Sequence, residues 1–78
     1  MIVEVYDVAP VVMLPGGSKI VGLMPHRVGW LPRIIVEYPE PGNGKLGHQF
    51  RYLSSGESFL VGEYIGYVPG RGLLYWIN

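Results

Sequence analysis

The stretch GYVPGRGLLYW, residues 66–76, decides the fold, because it reads as two strands joined by a tight turn. In Val68-Pro69-Gly70-Arg71, proline fixes φ at the second turn position, and glycine supplies the positive φ that the third position of a type II turn requires. A Walker-type phosphate loop would instead end in Gly-Lys-Ser/Thr and open a helix. The stretch therefore predicts a β-hairpin that carries Arg71 at its tip.

Glycine and proline punctuate the rest of the chain in the same way. The 78 residues include 12 glycines and 7 prolines, and the longest stretch free of both is Met1–Ala9. An ordinary helix of about 11 residues would have to carry a helix breaker inside it. The spacing predicts an all-β protein without a helix longer than one turn.

The segment RIIVEY, residues 33–38, shows the clearest strand pattern. Ile34, Val36 and Tyr38 fall on one face, while Arg33 and Glu37 fall on the other. A period of two residues is typical of a strand with one face buried.

Two more segments alternate in the same way, IVEVYDV with Val3 and Val5 against Glu4 and Tyr6, and QFRYL with Phe50 and Tyr52 against Gln49 and Arg51. Further strands are predicted at Val11–Leu14, Lys19–Met24, Gly62–Val68 and Leu73–Ile77. We therefore predict one domain over residues 1–78, a small barrel or sandwich of about five to seven short antiparallel strands. The loop Pro39–Gly47, rich in glycine and proline, is predicted to be exposed and mobile.

Composition excludes several classes of function. Six basic and six acidic side chains give a net charge of zero, whereas a protein that binds nucleic acid without sequence preference is normally basic. No apolar run reaches the ~18 residues that a membrane span needs, and no signal peptide is recognisable. The absence of cysteine fits a reducing compartment. We expect no membrane association and no cofactor.

The residue types that carry catalysis occur without the spacing that catalysis needs. His26 and His48 have no acidic companion at metal-ligand spacing, so we expect no metal site. The serines lie in turn-like sequence rather than in a strand-to-helix elbow. Glu57 and Glu63 read as surface residues beside a turn and at a strand start. We therefore predict that the protein is not an enzyme.

Arginines and aromatic residues are the remaining candidates for binding. A guanidinium group can grip a phosphate with two hydrogen bonds, and Trp30 lies near two of the arginines in sequence. The same composition is enriched at protein interfaces. The C-terminal hairpin is crowded with aromatic residues, most of which are expected in the core, with the remainder free to form a stacking wall: Tyr64, Tyr67, Tyr75 and Trp76.

Four segments, LPGGSKIVGL, the strand after Trp30, FRYLSSGES and GEYIGYVPGRGLLYWIN, resemble a family of short, mostly uncharacterised bacteriophage proteins. Its members carry a Pro-x-Gly-Ala-Lys-Ile-Leu stretch, a tryptophan-bearing strand, Arg-x-Phe before a Thr-Gly loop, Tyr-x-Gly-Thr and a last strand rich in Trp and Phe. This chain departs from that pattern at Gly17-Ser18, Phe50-Arg51 and Ser55-Gly56. The resemblance implies a phage protein acting in the cytoplasm of an infected bacterium.

The resemblance gives no settled activity, and three hypotheses stay open. The first is a non-catalytic protein that counters host defence by sequestering a signalling nucleotide in pockets between subunits. The others are an inhibitor or adaptor that binds a host enzyme, and a structural or virion-associated β protein. For an anionic nucleotide, the predicted ligand-binding residues are Arg27, Trp30, Arg51, Ser54, Ser55, Gly56 and Arg71. We also predict self-association, because so short a chain with no disulfide is expected to expose an apolar face or a sheet edge.

Overall fold

The computed structural model describes residues 1–24, 30–39, 44–53 and 62–77. These residues form seven strands and, within those ranges, no helix. The strands are β1 (Ile2–Asp7), β2 (Val11–Pro15), β3 (Lys19–Met24), β4 (Arg33–Tyr38), β5 (Lys45–Leu53), β6 (Glu63–Val68) and β7 (Gly72–Ile77). The all-β prediction is confirmed.

The strands form two antiparallel sheets, which we call sheet A and sheet B. Sheet A has the order β1-β4-β3, and sheet B has the order β2-β5-β7-β6. The sheets pack as a sandwich and do not close into a barrel, so the second of the two predicted architectures is the one observed. As the described part of the chain has no helix, it has none that could cross a membrane.

Strand β4 is the centre of sheet A, and its inward face is the one that the sequence predicts. Ile34, Val36 and Tyr38 are buried in the core. Directly opposite residues in an antiparallel pair point to the same side of the sheet. The register Val36↔Glu4 therefore turns the Glu4 side of β1 inward and leaves Val3 outside, 59% exposed.

Sheet B supplies the other half of the core. Leu14, Phe50, Val68 and Leu74 are buried against the residues of β4. The turn between β6 and β7 has the predicted form, because Gly70 has φ of 80° and the Arg71 N–H donates to the Val68 carbonyl at 3.0 Å. The C-terminal hairpin is thus confirmed.

Strand β5 begins earlier than the sequence predicts. The sequence predicts that Lys45–Gly47 belong to the exposed loop Pro39–Gly47, and this boundary is wrong, because these three residues pair with β2. They are exposed as predicted. Gly47 has no side chain, and the ends of Met13 and Val11 lie 3.5 and 3.6 Å from the point its Cβ would occupy. The backbone N–H and C=O groups of β2 need hydrogen-bond partners, and this need outweighs the loop-like composition of Lys45–Gly47.

The two sheets meet along the edges of β3 and β6. Each edge carries a bulge, between Ile20 and Gly22 in β3 and between Tyr64 and Gly66 in β6. A Cβ on Gly66 would lie 2.8 Å from the Leu23 Cδ2 atom, so glycine at this position lets the sheets approach closely. Beside this contact, the bulged edges leave a cleft between the sheets.

Candidate functional site

A row of three polar or aromatic side chains crosses the outer face of sheet B. Arg51 on β5 is directly opposite Tyr75 on β7, and Tyr75 is directly opposite Tyr64 on β6. The tyrosine rings are in contact, with centroids 5.4 Å apart and planes tilted by 54°. We call Arg51, Tyr75 and Tyr64 the tyrosine row. It places one guanidinium group beside two aromatic rings on one surface.

The row is open to solvent and continues onto a neighbouring tyrosine. Tyr64 is 53% exposed, Arg51 is exposed, and Tyr67, in the next outward position of β6, is 61% exposed. The prediction that most of the hairpin aromatics pack in the core is wrong. Trp76 packs against the core, whereas the half-buried Tyr75 lies on the outer face, as do the exposed Tyr64 and Tyr67 of β6. The bulge at Ile65 shifts the register of β6 and turns both side chains to the outer face.

Charge is distributed unevenly between the two outer faces. Among the described residues, the outward positions of sheet B carry two cations, Lys45 and Arg51, and no carboxylate. On sheet A, Arg33 lies 3.6 Å from Asp7, and Lys19 is directly opposite Glu37. A chain of zero net charge thereby presents one basic, aromatic face.

Arg71 contacts a different side of β5. Its guanidinium carbon lies 5.8 Å from the centroid of the Tyr52 ring, and Tyr52 faces the interior, opposite Leu74. The Tyr52 hydroxyl is buried, and no described residue forms a hydrogen bond with it. Burial raises the pKa of Tyr52, and the positive charge of Arg71 partly offsets this rise.

Trp30 lies at the end of sheet A. It is 57% exposed and lines a cleft of about 420 Å³ together with Asp7, Leu31 and Arg33. The described residues that line this cleft include one carboxylate and one guanidinium group, which form an exposed ion pair and together carry no net charge.

The predicted site residues are therefore distributed over three places. Arg51 belongs to the tyrosine row, Arg71 contacts the inward-facing Tyr52, and Trp30 lines the cleft on sheet A. The remaining predicted residues lie outside the described residues: Arg27, Ser54, Ser55 and Gly56. Their membership of one site stays a prediction.

Neither the family models, nor the curated proteins, nor the solved structures gave a match. The described residues also contain no group of three or more histidine, cysteine or carboxylate side chains placed to hold a metal ion. Function therefore has to be argued from the side chains themselves.

Proposed function

We propose that this chain is a non-catalytic binding protein, encoded by a bacteriophage, that captures an anionic signalling nucleotide of the infected host. The observation that carries the proposal is the tyrosine row on a face whose described charges are all positive. A base stacks on a tyrosine ring, and a phosphate accepts charge-assisted hydrogen bonds from a guanidinium group.

The spacing of the row suits a ligand with both parts. Arg51 and Tyr64 are separated by two strand spacings, about 10 Å in all, since neighbouring strands lie ~4.8 Å apart. Tyr75 fills the position between them. A mononucleotide laid across the strands brings its phosphate to Arg51 and its base to Tyr64.

Capture of the nucleotide requires a second subunit. A flat sheet face covers one side of a ligand, whereas binding sites normally bury most of the ligand surface. A second copy of sheet B laid on the first would bring together two faces whose described charges are all positive, which is favourable only with an anion between them. The basic face therefore supports a nucleotide held between subunits.

The first experiment identifies the ligand. Purified protein is incubated with a panel of cyclic and ADP-ribose-derived nucleotides, separated from unbound material, denatured, and the released compounds are identified. The proposal expects one class of nucleotide to be released chemically intact. A released product of cleavage would contradict the non-catalytic assignment.

The second experiment assigns the site by isothermal titration with the released nucleotide. Arg51→Ala is expected to weaken binding tenfold to hundredfold, about 1.5–3 kcal/mol, because it removes a charge-assisted phosphate contact. Lys45→Ala is the matched control, since it removes the same charge from the same face of the same strand, six residues away. Equal effects of the two substitutions would indicate that only the general charge of the face matters.

A second candidate function is inhibition of a host enzyme by direct protein binding. Val11 and Met13, which are 55% and 51% exposed, extend the apolar part of the outer face of sheet B onto β2. Tyrosine and arginine beside exposed apolar residues are typical of protein interfaces. If no nucleotide is released, and Tyr67→Ala abolishes an effect on the host that Arg51→Ala leaves intact, this second candidate replaces the first.

A further inference from the structure

The cleft between the bulged edges of β3 and β6 lies apart from the predicted site. It has a volume of about 220 Å³, and its walls are Ile20, Val21, Gly22, Glu63, Tyr64, Ile65 and Trp76. Apolar residues come from both sheets, and sheet B also contributes Glu63 and the aromatic residues Tyr64 and Trp76. The cleft is too small for a nucleotide, since the pockets that hold ligands of that size have volumes of about 300–1,000 Å³.

Among the described residues, Glu63 is the one charged residue that lines this cleft. It is directly opposite Trp76, whose neighbour on β5 is the buried Phe50, so Glu63 takes an inward-facing position at the sheet edge. Within the described ranges, its carboxylate has no hydrogen-bond or salt-bridge partner.

A second glutamate in the same kind of position behaves differently. Glu4 also takes an inward-facing position on an edge strand, and its carboxylate accepts hydrogen bonds from the hydroxyl groups of Tyr38 and Tyr6. At the edge of sheet A, the hydrogen-bonding capacity of the Glu4 carboxylate is thus met by tyrosine hydroxyl groups of the protein itself. On the other side, at Glu63, the carboxylate is available to a ligand.

The aromatic walls are held in place by contacts outside the cleft. The Trp76 indole N–H donates to His48 Nδ1 at 2.9 Å, and the two rings meet edge to face with centroids 4.9 Å apart. Tyr64 packs against Tyr75. Fixed aromatic rings beside a carboxylate attract a cation through the negative face of the ring and through ionic pairing.

We propose that the cleft between β3 and β6 binds a small organic cation, an alkylammonium or guanidinium group, paired with Glu63 and lying against Trp76. The small volume admits the end of a lysine or arginine side chain or a simple amine. This site shares Tyr64 with the tyrosine row but differs from it in its ligand, which carries the opposite charge.

The test follows the amide signals of Glu63–Ile65 and Gly22 and the Trp76 indole signal in nuclear magnetic resonance spectra. The probes are n-butylammonium and n-butylguanidinium, with 1-butanol as the neutral control and sodium chloride at equal ionic strength. The proposal expects saturable shifts confined to these signals with the two cations alone. Equal shifts with 1-butanol would overturn it.

Variants then test the carboxylate. Glu63→Gln is expected to weaken binding about fivefold or more, because it removes the ionic partner. Glu37→Gln, which removes the same charge from the outer face of sheet A, is the matched control and should leave affinity unchanged. If Glu63→Gln disturbs the fold, Glu63→Asp, which keeps the charge, should retain binding. Unchanged affinity in a folded Glu63→Gln variant would overturn the proposal.

A final comparison identifies the source of the cation. A capped Ala-Lys-Ala peptide that binds more tightly than n-butylammonium indicates a lysine side chain of a protein partner. Equal affinity indicates a free amine. Either result supports the site, whereas failure of both compounds to bind removes it.

Discussion

At the scale of single residues, the Tyr52 hydroxyl is the least satisfied polar group of the described structure. It is buried without a hydrogen-bond partner among the described residues, while the Arg71 guanidinium group lies over the face of its ring. An unpaired buried hydroxyl costs about 1–3 kcal/mol of stability. Removing it while keeping the ring should therefore benefit the fold.

We expect Tyr52→Phe to raise the free energy of unfolding by about 1 kcal/mol at pH 7. Tyr38→Phe is the matched control, since it deletes a hydroxyl that donates to Glu4, and it should lower the free energy of unfolding. Urea unfolding followed by tryptophan fluorescence measures both. A loss of stability in Tyr52→Phe equal to that in Tyr38→Phe would show that the Tyr52 hydroxyl has a partner.

Tyr52 and Tyr6 make the stability of the fold depend on pH in the alkaline range. Burial raises the pKa of Tyr52 and of Tyr6, and the negative charge of Glu4 together with its hydrogen bond raises the pKa of Tyr6 further. The folded state then holds these protons more tightly than the unfolded state, whose tyrosine pKa is about 10. The contribution of these two tyrosines to the free energy of unfolding is fully present below pH 10. It is lost as the pH rises through their raised pKa values in the folded state. In Tyr52→Phe, the fall in unfolding free energy above pH 10 should be shallower.

At the scale of elements, strand β5 connects the two halves of sheet B. Residues 45–49 pair with β2 and residues 49–53 pair with β7, so the two partners meet β5 together only at Gln49. The Phe50 N–H donates to the Pro10 carbonyl, and the Gly16 N–H donates to the Gly44 carbonyl. Because hydrogen-bonded pairs alternate along an antiparallel ladder, the even-numbered residues of β5 direct their N–H groups toward β2.

Hydrogen exchange should reveal this alternation. The amide protons of Leu46 and His48 point toward β2 and are expected to be protected. The amide proton of Gly47 points away from β2, on the side where β7 extends only as far as Gln49, and it is expected to exchange fast. Amide exchange followed by nuclear magnetic resonance measures each proton separately. Fast exchange at Leu46 and at His48 would mean that β5 begins later and that Lys45–Gly47 form a loop in solution.

The elements also show how far sequence reasoning reaches. The sequence pattern, alternation together with the glycine- and proline-rich breaks, predicted all seven strands. It also predicted the buried face of β4, because Ile34, Val36 and Tyr38 bury apolar side chains on one face only. It did not extend β5 to Lys45, since pairing with β2 is a long-range backbone contact that leaves no local pattern.

The candidate site was harder to predict. Arg51 and Arg71 were predicted to share one site, yet they lie on opposite sides of β5. The Arg51 side chain points to the outer face, whereas Arg71 contacts the inward-facing Tyr52, because the direction of a side chain depends on strand register. The outward position of Tyr64 and Tyr67 follows from a bulge, and a bulge inserts a residue without a sequence signal as clear as alternation. Exposure of these tyrosines therefore became visible only in the structure.

At the scale of the whole molecule, the sandwich is thin, with principal extents of 41, 29 and 16 Å. Two layers of so short a chain cannot cover every apolar side chain. Leu46 is exposed on the inner side of sheet B, opposite Leu14, but the other exposed apolar residues of sheet B share its outer face: Val11, Met13, Tyr64, Tyr67 and Leu73. Exposed apolar faces of this kind mark association surfaces.

We expect light scattering at tens of micromolar to give at least twice the chain mass of 8.7 kDa, and added nucleotide to strengthen the association. Tyr67→Glu should return the protein to the monomer mass, because it places a carboxylate on the apolar outer face of sheet B. Val3→Glu, at an exposed position on the outer face of sheet A, is the matched control and should leave the mass unchanged. A mass near 8.7 kDa for the unaltered chain, with and without nucleotide, would remove the second subunit from the proposal.

The strand order of sheet B also determines when the protein can fold during synthesis. The pairing of β6 with β7 is the one strand pairing closed by a tight turn among the described residues. Residues 50–53 of β5, by contrast, pair with β7 alone and must wait for it, and β7 is the last of the described strands in chain order. Long-range pairings form late because their loop-closure entropy is lost before the contacts are gained. The sandwich is therefore completed only after β7 has left the ribosome, and until then the nascent chain exposes the unpaired half of β5 to the cell.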